Sequence, residues 1–99
     1  MKKPAKVGNV VKAAIEAYNS NRVLYHPHAE LREMQRGINR SEVEQAIRRG
    51  RHIKKRDQFD EKYKTWKYCI EGKTLDKRNL RIAVTIDDDG LMIITIFEV

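Results

Sequence analysis

HPHAELREMQRGINRSEVEQAIRRG, residues 26–50, decides how the rest of the chain folds. Pro27 suits the first turn of a helix, where its missing N–H costs nothing, and Gly37 suits the position just past that helix's end. At 100° per residue Pro27, Leu31 and Met34 fall together as the expected buried stripe, while His28, Arg32 and Arg36 recur along a cationic flank. A second helix is announced by Asn39 as N-cap with Glu42 three residues on, a capping box, and by Ile38, placed to staple onto Val43. Val43, Ala46 and Ile47 are its core positions. Arg48 and Arg49 suit the carbonyl end of the dipole, and Gly50 is expected as a left-handed stop.

C-terminal to Gly50 the period changes from helical to alternating. Residues 51–58 read as a first strand, and 63–71 as a second in which Trp66, Tyr68 and Ile70 alternate with Lys67, Cys69 and Glu71. Residues 80–87 place Leu80, Ile82, Val84 and Ile86 on one face, and Asp88, Asp89 and Gly90 form a hairpin turn. Residues 91–99 are apolar on both faces except at Thr95 and Glu98, which predicts a central strand covered by helices on at least one side. N-terminal to the opening stretch, 22–25 is a short β-like lead, and Val10, Val11, Ala14, Ile15 and Tyr18 keep a helical rhythm over 9–20. Residues 1–8 read as a basic flexible arm. Helices followed by strands predict one α+β domain over 9–99, its N-terminal helices packed on a four-stranded, mostly antiparallel sheet.

A chain of 99 residues with 40% hydrophobic and 35% charged composition suits a single compact domain. No apolar run approaches the roughly 18 residues of a membrane span, and the N-terminus lacks a signal peptide's apolar region, so a cytoplasmic protein is expected. Cys69 is the only cysteine, which excludes an internal disulfide, and it reads as a small strand residue. The net charge of +7 is concentrated in the first 56 residues, which carry +9 against −2 for the remainder. Within 48–56, six of nine residues are basic and none is acidic. Such a field points to a polyanionic partner, nucleic acid or an acidic protein.

The pattern H-A-x-x-R-M-x-x-R-G-I-x-x-x-E-V-x-x-A-I-x-x-G runs through residues 28–50, with two departures: Leu31 precedes Arg32, and Glu33 separates Arg32 from Met34. In this it resembles a small bacterial and archaeal domain-of-unknown-function family within the RelE/ParE-like toxin superfamily, related to the BrnT-type ribonuclease toxins. The resemblance spans roughly Tyr25 to Phe97. It implies a RelE-like core over 23–99, with the helix over 9–20 as an addition. It also implies a metal-independent endoribonuclease of a toxin–antitoxin system, with RNA as target and an acidic antitoxin-like protein as partner. The alternative is a non-catalytic nucleic-acid- or protein-binding module of the same fold.

His28 and Arg32, at i and i+4, pair a proton-transfer group with a guanidinium able to grip a phosphate, two parts that RNA cleavage needs. The competing reading is a capping histidine beside a solvated arginine. The resemblance adds Lys67, Arg78, Arg81 and Thr95, with Thr95 joining His28 and Arg32 as catalytic candidates. Arg36, Arg48, Arg49, Arg51, Lys54, Lys55, Lys67, Arg78 and Arg81 are the candidate nucleic-acid contacts. Tyr63, Trp66 and Tyr68 beside Lys62, Lys64 and Lys67 suggest a stacking platform, or else core aromatics on a strand. His26 and His28 lack a third metal ligand, and Asp87 to Asp89 lack the spacing of a calcium loop, so no metal or cofactor is expected.

Overall fold

The computed structural model describes residues 3–99. Three helices, α1 (Val10–Asn19), α2 (Pro27–Arg36) and α3 (Arg40–Arg48), accompany six strands: β1 (Val23–Tyr25), β2 (Arg51–His52), β3 (Gln58–Asp60), β4 (Thr65–Lys73), β5 (Asn79–Asp87) and β6 (Gly90–Glu98). The α+β class holds, but the sheet has six strands rather than four. Its order is β1-β6-β5-β4-β2, with β3 also on β4. It is mixed, because β1 runs parallel to β6 while the other pairs are antiparallel.

The two extra strands have separate causes. The short lead at 23–25 pairs with Leu91 to Ile93 of β6. The expected strand over 51–58 is split: His52 lies opposite Ile70 and Gln58 opposite Lys67, so six steps along one chain match three along the other. The surplus loops out as a 3₁₀ turn at Lys54–Arg56.

Helices α1 and α3 cover one face of the sheet. Val10, Ala14, Ala17, Val43, Ala46 and Ile47 meet Tyr68, Ile70, Leu80, Ile82, Val84, Leu91, Ile93 and Ile96 in one buried cluster. The Asn39–Glu42 capping box forms in both directions, at 2.8 and 3.1 Å. Gly37 is left-handed, at φ 60°. Gly50 is not: α3 ends at Arg49 with φ −104°, and the glycine serves close approach instead. A Cβ at Gly50 or Gly72 would strike the Ala46 carbonyl, so these two glycines let the end of α3 lie directly on β4.

α2 is rotated from the expected orientation. Leu31 and Met34 are exposed, Met34 by 82%, and Pro27 is exposed too, whereas Ala29 is fully buried and Arg32, Glu33 and Arg36 are half-buried. The reason is the site where α2 packs. It lies against β6, and Arg36 Nη1 donates to the Ile96 carbonyl at 3.3 Å. Satisfying an unpaired strand carbonyl outweighs burying two side chains that water tolerates.

Residues 3–7, part of the expected flexible arm, make contacts with the domain. Trp66 Nε1 donates to the Pro4 carbonyl at 2.8 Å, Val7 N–H donates to Tyr68 Oη at 2.9 Å, and Lys6 pairs with Asp57 at 3.1 Å. Met1 and Lys2 lie outside the described residues. No helix among the described residues is long and apolar enough to cross a membrane.

Candidate nucleic-acid interface on the uncovered sheet face

Strand alternation puts Ile70, Ile82 and Val84 under the helices and turns Lys67, Cys69, Glu71, Arg81, Ala83 and Thr85 to the opposite face. A bulge in β6 leaves Ile94 without a partner, since Ala83 pairs with Thr95 but Val84 with Ile93. Two depressions follow one another along this face. The first, of about 360 Å³, is lined by Lys55, Arg56, Asp57, Gln58, Cys69, Arg81, Ala83 and Phe97. The second, of about 480 Å³, is lined by His26, Asp60, Tyr63, Thr65, Lys67, Thr85, Asp87, Met92 and Ile94. Cys69 and Lys67, Ala83 and Thr85 stand two residues apart on the same strands, so the depressions form one trough about 7 Å from step to step.

Arg81 is the best-placed cation in it. Its Nε donates to Glu71 Oε2 at 2.7 Å, which fixes the guanidinium, while its two terminal nitrogens have no hydrogen-bond partner among the described residues. That leaves a planar pair of N–H₂ groups able to take two oxygens of a phosphate. Lys67 faces Asp60 at 3.4 Å. The Asp60 carboxyl is held below its usual range, first by the Tyr63 N–H and further by Lys67 and the Lys62 N–H. Burial raises the Cys69 thiol above its ordinary range, so it stays protonated at the floor of the trough.

The rim is the looped-out basic turn. His52 Nε2 lies 2.7 Å from Asp57 Oδ1, both side chains largely buried, and Arg56 and Asp57 N–H donate back to Ile53 and Lys54. The bridge closes the loop and holds Lys54, Lys55 and Arg56 outward, exposed and without ion-pair partners among the described residues.

The other expected site residues divide in two. Arg49 and Arg51 are exposed near this turn. Arg48 is bonded to Glu44 and to Asn19, and Arg36 to the Ile96 carbonyl, with its guanidinium 5.1 Å from the Phe97 ring. Arg78 is fully engaged inside the fold: it reaches Glu42, Glu98 and the carbonyls of Arg36 and Gly37, tying the α2–α3 corner to the end of β6. Its hydrogen bond holds the Glu98 carboxyl below the ordinary range. A structural staple is therefore its role here, in place of an open phosphate contact. His28 is exposed and lines neither depression; Arg32 is half-buried and donates to Gln35 at 3.1 Å. Thr95 Oγ1 is buried without a partner among the described residues. Trp66 and Tyr68 belong to the helix-covered side, so of the three aromatics only Tyr63 reaches the trough.

Sequence reasoning did not single out Thr85, Met92 or Phe97 for the site, held Arg56 only within the basic run over 48–56, and weighed His26 only as a metal ligand. For His26 a signal existed: the residue before a helix's N1 proline is its N-cap, and His26 Nδ1 indeed accepts from His28 N–H at 3.1 Å. No group of three or more His, Cys, Asp or Glu among the described residues could hold a metal ion.

Residues 25–98 match the family described as a domain of unknown function, DUF4258. The chain belongs to that family. The match begins at the end of β1 and so takes in α2, α3 and all of β2 to β6, leaving α1 outside it. No curated protein and no solved structure gave a match.

Proposed function

We propose that this DUF4258 domain is a RelE/ParE-like protein that acts on RNA along its uncovered sheet face, as a metal-independent endoribonuclease of a toxin–antitoxin pair. One observation carries the RNA part: a guanidinium fixed through Nε, with both terminal nitrogens unpartnered among the described residues, in a trough rimmed by an outward-held basic turn. In the transition state of phosphodiester cleavage, charge grows on the phosphate oxygens, and prearranged N–H donors stabilise that charge more than they stabilise the ground state. In the enzyme reading His28 and Arg32 supply proton transfer and charge, and Thr95, opposite Ala83 in the sheet, supplies a hydroxyl. An acidic antitoxin-like protein would be drawn to the same cations.

A second reading, a non-catalytic binding module of the same fold, is favoured by the separation of groups. His28 and Arg32 line neither depression, and Arg32 already has a partner in Gln35. The test is cleavage and binding of a labelled single-stranded RNA, with and without EDTA, by wild type, His28→Ala, Arg32→Ala and Arg81→Ala. Metal-independent cleavage lost in all three variants supports the enzyme. Salt-sensitive binding without cleavage, weakened only by Arg81→Ala, selects the binding module. Neither binding nor cleavage by folded wild type overturns the RNA reading.

A further inference from the structure

Resting on that RNA reading, we propose that the second depression is a nucleobase pocket selective for guanine. It is bounded by apolar Met92 and Ile94, with Tyr63 exposed at its mouth as a surface for a base to stack on.

The hydrogen-bonding groups within it are unequally engaged. Asp60 is saturated, since Oδ1 accepts from the Lys62 and Tyr63 N–H groups and Oδ2 faces Lys67. Asp87 is not: Oδ1 accepts from Asp89 N–H at 2.8 Å, and Oδ2 has no partner among the described residues. His26 is constrained by capping α2. Its Nδ1 accepts the His28 N–H, so that nitrogen carries the lone pair and the neutral ring bears its proton on Nε2. Of the groups left open, the Thr65 and Thr85 hydroxyls can donate or accept and so do not discriminate between bases; those of fixed polarity are two donors, Lys67 and His26 Nε2–H, and one acceptor, the Asp87 carboxylate.

Guanine answers that set. Its pairing edge presents the O6 acceptor beside two adjacent donors, N1–H and N2–H₂, and a carboxylate takes two adjacent donors bidentately. Adenine and cytosine place a lone-pair nitrogen next to their amino group, facing the carboxylate with repulsion. Uracil has a single donor between two acceptors. Arg81, one step along the trough, is then positioned for a phosphate of the same strand.

The experiment is fluorescence anisotropy with uridine-rich RNAs of about nine nucleotides carrying a central G, inosine, A, C or U. Wild type is expected to bind the G-containing RNA about tenfold tighter than the A, C or U versions, with inosine between because it lacks the N2 amino group. His26→Ser keeps a good N-cap while removing the ring donor, so Tm is retained and the G preference shrinks. Asp87→Asn keeps an acceptor for Asp89 N–H and is expected to bring all five RNAs to similar affinity, with the salt dependence unchanged. Equal wild-type binding of all five RNAs overturns the guanine pocket and leaves the RNA reading standing. Unchanged G preference in both variants also overturns it. Failure of wild type to bind any of them overturns both.

Discussion

The two faces of one sheet, built from alternate residues of the same strands, have opposite chemistry. Ile70, Leu80, Ile82 and Val84 are entirely buried beneath α1 and α3, whereas Lys67, Arg81, Ala83 and Thr85 lie half-open on the other side. Stability resides on the first face, and the proposed RNA contact lies on the second. Arg78 and Arg81, three residues apart, make the contrast within one residue type: one guanidinium has its polar atoms satisfied by the fold, the other is held by a single bond among the described residues.

The largest effect that could break this division is a cavity on the covered face. Ile82→Ala is expected to cost about 2 to 5 kcal/mol in chemical denaturation, because a fully buried side chain is truncated among packed neighbours. RNA affinity of the remaining folded protein should not change. Next comes Arg78→Ala, which strands the buried Glu42 carboxylate and unties the α2–α3 corner. It is expected to lower Tm by several degrees, and a variant that loses RNA affinity at unchanged Tm would return Arg78 to the binding set.

Arg81→Ala should do the reverse. Tm stays within a degree or two of wild type, while single-stranded RNA binding weakens about tenfold and the salt slope falls by about 0.7 for each phosphate released. Arg81→Lys, which keeps the charge but not the fork, should recover only part of the affinity.

The smallest effect concerns the helix side alone. Tyr18, half-buried beside α3, is pushed up to about 12, chiefly by desolvation, and Tyr25 beside it is raised as well, also chiefly by desolvation. A raised folded value means the neutral phenols are favoured by folding. Their contribution is intact below the ordinary tyrosine value of about 10 and is lost as pH rises from there toward 12. Denaturant titrations at stepped pH should show stability declining over that interval, and Tyr18→Phe should reduce the decline.

Much of this was legible in the chain. The capping box at Asn39, the left-handed Gly37, the α3 core positions and the alternation of β4 and β5 were each local signals, and the structure keeps them. What failed was non-local. The helical wheel assigned Leu31 and Met34 to the core, because a wheel cannot know that α2 lies along β6 and needs Arg36 to satisfy a carbonyl there. The basic run over 48–56 was visible as charge. Its division into a strand and an outward loop depends on the buried His52–Asp57 bridge, which spacing alone does not announce. For the site, Lys67 and Arg81 were readable from strand parity, but the different situations of Arg78 and Arg81 required knowing which carboxylates the fold brings to each. His26 was read only as a metal ligand beside His28, because its place over the sheet depends on how β1 pairs with β6.

Methyl groups distinguish the two faces directly, so the decisive measurement is a titration of methyl-labelled protein with single-stranded RNA, followed by NMR. Binding on the uncovered face predicts shifts at Ala83, Thr85, Met92 and Ile94, with Ile82, Val84 and Ile96 almost unmoved. Shifts confined to Leu31, Met34 and the other methyls of the helices, with the uncovered-face methyls unchanged, would contradict it.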